Sequence, residues 1–307
     1  MEIRQFKYFV KIADLGSFSR ASRALHIAQP ALSQQMAQLE AELGQALLLR
    51  EPRGVRLTGP GEAFYRHAQR LLRQVDDTAS AVQQCAAQPS GTVCVGLPLS
   101  TAAQYALPLL AAVRERHPGI VIEFFDEISG NLLHGLNSGR LDIGVLVNDD
   151  DARLVPGVAL MDELLFMVSR AGMAPARKSV SLRQLHALPL ALPGPGQGVR
   201  PILDQALARQ GLRLGPLAVC ANSMSIMRHA LYEGMAHGVM PWGAVADDVQ
   251  AGRLVATRIT PALTRRVHVC TTTDAGLSQA GQVVHDLLLE VTRQRVRGRL
   301  WRGVKLL

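Results

Sequence analysis

At 307 residues the chain has room for two or three domains with cores of their own. Hydrophobic residues make up 48% of it, which excludes a disordered chain, and no apolar run approaches the roughly 20 residues that span a bilayer, so no membrane partner is expected. A net charge of +8 favours polyanionic partners, while four scattered cysteines, Cys85, Cys94, Cys220 and Cys270, without CxxC spacing or a secretory leader, point to reduced thiols, no metal or other cofactor, and a cytoplasmic setting.

The first helix is expected to bury one face through Ile3, Phe6, Phe9, Val10 and Ala13. Ser17 or Ser19 can cap a second helix, and His26-Ile27 interrupts it before Gln29-Pro30 starts a third with proline in its first turn. In that third helix Leu32, Met36, Leu39 and Leu43 form an inward stripe, leaving Pro30, Ser33, Gln34 and Ala37 outward, with no acid before Glu40. Such a face suits the DNA major groove, where short polar groups bond base edges. An ordinary helical hairpin is the competing reading. After Gly44, Leu47–Arg50 and Val55–Leu57 read as two short strands around Glu51–Gly54, a wing whose Arg50, Arg53 and Arg56 can reach phosphates or the minor groove. DNA contacts are therefore expected at Ser19, Arg20, Gln29, Pro30, Ser33 and Gln34 of the helix pair, and at Arg50, Arg53, Arg56 and Thr58 of the wing.

From Pro60 some 25 residues read as one helix, with Phe64, Ala68, Leu71, Val75 and Val82 on a stripe too long for a small winged domain to bury. That stripe is expected to pair with a second subunit and so present two recognition helices to two half-sites. Gln88–Gly91 is a breaker cluster, giving boundaries at 1–58 for the winged helix-turn-helix, 59–88 for a linker and dimerisation helix, and 89–307 for the remainder.

Beyond it strands and helices alternate, as in parallel βαβ units. Strands are expected at 93–97, 120–125, 141–147, 188–192, 217–221 and 238–240, with crossing strands at 164–168 and 266–271. Helices are expected at 102–117, 132–137, 199–210, 225–232, 243–249 and 279–292. Two α/β lobes follow, lobe I at about 91–161 and 267–307 and lobe II at about 162–266, resembling periplasmic solute-binding proteins in an α+β chain. Ligands of open α/β sheets bind beyond strand carboxyl ends at helix starts. That rule selects Ser100, Thr101, Ser129, Gly130, Gln197, Gly198, Val199 and Ser223; the bland alternative is that the serines are N-caps. No arginine is assigned to this cleft, and Asp149-Asp150-Asp151 reads as a solvated loop near its rim. The tail 291–307 carries six basic residues and no acid; phosphate contacts, an anionic partner, or a solvated position on the last lobe all remain open for it.

Catalysis is not expected. Gly194–Gly198 lacks the Gly-Lys-Ser/Thr ending of a phosphate loop, no Gly-x-Ser-x-Gly or His-Glu-x-x-His occurs, and the nine histidines are dispersed.

The run Ala24–Gln35, then Leu39-Glu40, Leu43-Gly44, Leu47–Arg50 and Arg56-Leu57-Thr58-Gly61, resembles the signature of LysR-type transcriptional regulators. It covers about the first sixty residues densely, and the rest fits that family in length and layout. Within the family, Phe6–Ile12, His26–Gln35, Arg53-Gly54-Val55 and the segment from Gly96 to Leu110 are similar to nitrogen assimilation control proteins, which implies that no small inducer is needed. A regulator answering to an aromatic acid or amino acid is the alternative. The resemblance implies double-stranded promoter DNA, RNA polymerase and copies of the same chain, as a homodimer or homotetramer, as partners. It also implies that the loops at Ser100 and Ser129, and more loosely Gln197, Gly198 and Val199, line a small-molecule effector pocket. Gln34 stands where many relatives carry arginine. A cytoplasmic small-molecule-binding protein without a DNA role is the rival function.

Overall fold

The computed structural model describes every residue except 53, 84–88, 148, 176–177 and 273–275, and the side chains of 70, 73–74 and 76–83 lie outside the described set. Two compact units make up the chain, the second starting at Pro89.

In the first unit, α1 (Ile3–Leu15), α2 (Phe18–Leu25) and α3 (Gln29–Leu43) precede a hairpin of β1 (Leu48–Glu51) and β2 (Gly54–Leu57), and α4 (Gly59–Gln83) follows. Phe9, Ile12, Phe18, Ala21, Leu32, Met36, Leu39 and Leu47 form its core. Ile12 rather than Ala13 continues the inward stripe of α1, and Ile3 is exposed, because the stripe drifts round a helix of 3.6 residues per turn. Ser17 settles the choice of cap: its Oγ accepts the Arg20 N–H at 3.3 Å. Glu40 serves the wing, its Oε1 accepting the N–H groups of Leu47 at 2.7 Å and Leu48 at 3.0 Å. A Cβ on Gly61 would lie 2.0 Å from the Leu47 carbonyl oxygen, so only glycine lets α4 start this close to the wing.

The stripe on α4 divides. Phe64 stacks on Phe6 at 5.0 Å between ring centres and meets Phe9 edge-on at 4.9 Å, and Ala68 is fully buried. Phe64 thus packs on the unit's own core, with α1 supplying the apolar surface, contrary to the expectation that the whole stripe awaits a partner. Leu71 and Val75 stay half-buried, and the side chain of Val82 lies outside the described residues.

The second unit opens with β3 (Gly91–Pro98), α5 (Ala102–Arg116), β4 (Ile120–Glu127), α6 (Ser129–Asn137), β5 (Ile143–Leu146) and α7 (Asp149–Ala152). A long β6 (Gly157–Arg170) leads to β7 (Ser179–Ser181), α8 (Leu182–Leu185), β8 (Leu190–Leu192), α9 (Arg200–Ala208), β9 (Leu217–Cys220) and α10 (Met224–Tyr232). Then come β10 (His237–Pro241), a 3-10 turn at Trp242–Ala244, α11 (Ala246–Gln250), β11 (Leu254–Thr271), α12 (Gln279–Arg297) and β12 (Val304–Leu306).

The strand order is β4-β3-β5-β11-β6-β10-β8-β9, with β12 on β6 and β7 on β11. β3 runs parallel to β4 and β5, and β8 runs parallel to β9 and β10, so each lobe holds a parallel set of three. The antiparallel pair β6 and β11 joins them, β11 bonding β5 and β6 bonding β10. Both crossing strands are far longer than the expected 164–168 and 266–271. Threonines and arginines interspersed along β11 break up its apolar residues and hide its buried face from a reading that looks for continuous apolar runs. The architecture is α+β: a winged helix-turn-helix followed by two α/β lobes.

Candidate nucleic-acid interface and effector cleft

With Leu32, Met36 and Leu39 sealed in the core, the rotation of α3 is fixed. Gln29, Pro30, Gln34 and Ala37 are exposed on its other side and Ser33 is half-buried. Its N-cap residue is Ala28, and among the described residues no side-chain cap bond closes it, so its first-turn N–H groups are open to an anion. Ser19 Oγ bonds Gln29 Oε1 at 3.0 Å, tying α2 to the start of α3, and Arg20 is exposed beside it. Arg50 lies over the Phe18 ring at 4.5 Å, and Arg56 pairs with Glu51 at 3.4 Å, so both wing arginines are oriented at the surface. Arg53 lies outside the described residues. Thr58 departs from its expected role: its hydroxyl donates to the Ala46 carbonyl at 2.6 Å and accepts from Gly61 N–H at 2.9 Å, which makes it the cap of α4 rather than a free group.

In the second unit an inner cavity of 70 Å³ lies at the strand carboxyl ends of both lobes, adjoining a wider groove of 740 Å³. Ser100, Ser129, Gln197, Gly198 and Val199 line the cavity, and Gly130 lines the groove. Two expected residues do not line either. Ser223 accepts the Ile226 N–H at 3.3 Å and is the N-cap of α10, so the neighbouring Asn222 reaches the cavity instead. Thr101 is 2% exposed, its methyl close to Gly243. Met224, Met227, Val239 and Met240 make one wall apolar. The acid run forms α7 rather than a loop, lines the groove beside Arg153 and Arg266, and binds His268 through Asp149 at 2.7 Å.

The main addition is Arg265, on β11 and lining both spaces. Its side chain and that of its cross-strand partner Glu163 are 2% and 0% exposed, and they pair at 2.7 Å. Arg265 also donates from Nη2 to Ser100 Oγ at 3.1 Å. Its Nη1 makes no hydrogen bond among the described residues, and the side chain lines the cavity. A guanidinium whose charge is already balanced by a buried carboxylate is a strong donor for a carbonyl or carboxylate without making the pocket strongly electropositive. Strand alternation was the signal for it: Leu263, Arg265 and Val267 share one face, as do Met161, Glu163 and Leu165, while Arg266 and Asp162 pair at 2.8 Å on the other.

Residues 3–62 match the model of the bacterial regulatory helix-turn-helix proteins of the lysR family, and residues 86–293 match the LysR substrate binding domain. The chain is 36% identical over 95% of both chains to the nitrogen assimilation regulatory protein nac of Escherichia coli K12. It is 34% identical, over 95% of both, to the protein of that name from Klebsiella aerogenes. Among solved structures it matches a full-length OxyR of Pseudomonas aeruginosa, a variant with one cysteine replaced by aspartate, with a TM-score of 0.72 at 23% identity, covering 95% of each chain. CbnR in complex with its target DNA gives 0.68 at 22%, covering 96% of this chain and 99% of that one. These two likenesses show the fold.

Proposed function

The chain belongs to the LysR family of DNA-binding transcriptional regulators, and from that premise we propose that it controls promoters as a dimer of dimers gated by the cleft. The family is regulatory, and we read this member as having no catalytic role. The rival reading, a small-molecule binder without a DNA role, is set aside by the helix-turn-helix match. In the proposed arrangement residues 1–58 read DNA, 59–88 pair two subunits through the outer part of the α4 stripe from Leu71 onward, and 89–307 hold effector and further copies of the chain. Base reading falls to Ser33 and Gln34, assisted by Ser19, Gln29 and Pro30, while Arg20, Arg50, Arg53 and Arg56 hold phosphates. The observation that carries this is the uncapped, acid-free, outward face of α3, whose rotation the core residues fix.

Arg265, Ser100, Ser129 and Asn222, set against an apolar wall, fit a small molecule bearing a carbonyl or carboxylate and an apolar body. The cavity has room for about five to seven water-sized groups at about 10–15 Å³ each. A change in lobe packing, whether through a ligand of that size bridging the lobes or through rearrangement of the oligomer without one, would alter the spacing between dimers and thus the bend of the DNA. Two relatives are named for nitrogen assimilation, and genes of that process are the first targets to examine. The setting is the cytoplasm, where promoter DNA and RNA polymerase are at hand; among the described residues no helix is long and apolar enough to cross a membrane.

Chromatin mapping under nitrogen-poor and nitrogen-rich growth tests the targets, and a thermal-shift metabolite screen tests the cleft. Binding to the chain's own promoter that is no tighter than to scrambled DNA at moderate salt would overturn the regulatory reading.

A further inference from the structure

The C-terminal segment reaches the cleft's arginine. β12 pairs with β6 on the side opposite β11, with Val304 across from Glu163, and Leu164 N–H donates to the Gly303 carbonyl at 2.7 Å. Just before this strand Trp301 is 2% exposed, meets Tyr105 edge-on at 4.8 Å between ring centres, and donates its indole N–H to Glu163 Oε1 at 3.2 Å. Arg265 holds the other oxygen of that carboxylate, with Nε on Oε2 at 2.8 Å. Arg302 lies 5.1 Å over the Trp242 ring, and Gly303, at φ +72°, leaves the space in which a Cβ would strike the Phe166 ring. The tail is thus seated in detail on the crossing strand that carries Glu163.

We propose that Trp301 is a positioning residue for the effector cleft: by holding Glu163 Oε1 it fixes the rotation of the carboxylate and so the placement of the Arg265 side chain at the cavity. A carboxylate gripped on one side only can swing, and Arg265 would swing with it; a second donor on the other oxygen removes that freedom. Tyr105 does not substitute for Trp301. Its hydroxyl is buried without a hydrogen-bond partner among the described residues, and burial pushes its pKa well above 10.0, so it stays protonated. The basic tail is then part of the ligand site through one indole N–H, and its charges are incidental to that role.

The inference rests on reading the cleft as a ligand site, but its test needs no ligand. Phenylglyoxal modifies arginine side chains, and peptide mapping gives the rate at each one in the full-length protein. Arg265, buried and paired, should react slowly, and its neighbour Arg266, half-exposed and paired with Asp162, provides an internal control. Trp301→Phe keeps a ring against Tyr105 and removes the donor. The Arg265 rate should rise about tenfold or more, the scale of one missing hydrogen bond to a charged group, with Arg266 unchanged. Should that variant fail to fold, benzothienylalanine incorporated in place of tryptophan in a Trp242→Phe background removes only the N–H, since the chain has two tryptophans. An unchanged Arg265 rate would overturn the proposal, and so would a parallel rise at Arg265 and Arg266, which marks general loosening. A metabolite screen that finds no ligand counts against the cleft reading alone and leaves the positioning of Arg265 standing.

Discussion

Gln34→Ala separates base reading from mere attachment to DNA. Gln34 is exposed one turn into α3, and the burial of Leu32, Met36 and Leu39 prevents the helix from rotating to compensate for its loss. A glutamine that bonds an adenine edge with both amide groups is worth about 1–3 kcal/mol, or roughly five- to 150-fold per half-site. A dimer reading two half-sites should therefore lose about 2–6 kcal/mol of specific binding if both contacts are made. No cation is removed, so binding to scrambled DNA and the slope of log affinity against log salt should stay as they were. Arg50→Ala is the contrasting variant: affinity should fall on both DNAs, and the slope should shrink by about one unit for each phosphate no longer neutralised. Fluorescence anisotropy over a salt series, on operator and scrambled duplexes, reads all of these quantities. Equal loss on both duplexes for Gln34→Ala would show that this face only touches phosphates.

Ser17→Ala removes the cap of α2 and should cost about 0.5–2 kcal/mol, seen as a lower denaturation midpoint with the helix content of the folded state retained. Gly61→Ala places a methyl where the Leu47 carbonyl stands, and overpacking of this kind typically costs about 1–3 kcal/mol; a neutral result would mean that the wing and α4 separate freely. Burial holds the His237 pKa below 6.5, its Nδ1 bonded to Ser169 Oγ at 2.7 Å, so the unfolded chain takes up a proton that the fold resists. That contribution is present above pH 6.5 and is lost as pH falls through 6.5 and below, and His237→Gln should flatten this part of the urea-midpoint profile. Asp248 acts lower on the scale. Burial alone would raise its pKa, but hydrogen bonds from Arg253 and Tyr232, and the charge of Arg228, bring it below 3.8, so its stabilisation is present above that value and disappears on further acidification. Asp248→Asn should remove the loss, and a profile identical to wild type would refute the assignment.

The DNA-reading unit was legible because its information is local. Ser17, Gln29-Pro30, Gly44 and the Leu32–Leu39 stripe each mark a helix start, stop or face from within one turn. Thr58 shows the limit of that reading, since cap and phosphate contact need the same residue type and only the position of Ala46 and Gly61 separates them. The cleft was legible as a place but not as chemistry. Helix starts pointed to Ser100, Ser129 and the Gln197–Val199 turn, yet one cap and one packed threonine came with them, and Asn222 stayed hidden behind Ser223.

Arg265 was missed for a more general reason. Asp162-Glu163 and Arg265-Arg266 each look like surface charge, being two adjacent ionic residues on a strand, and alternation then requires that one of each two point inward. Buried ions are tolerated only in pairs, so one inward acid demands one inward base, but their partnership depends on the register of strands 102 residues apart. The tail repeats the lesson. Trp301 is buried between the exposed Leu300 and Arg302, and Val304 and Leu306 pack on the core on either side of the exposed Lys305, so the charges that made the segment look like a solvated or phosphate-seeking end lie beside the residues that dock it. Net charge describes what a segment shows to solvent. Period-two alternation shows what it turns inward, and here the inward side leads through Trp301 and Glu163 to Arg265 at the wall of the cavity.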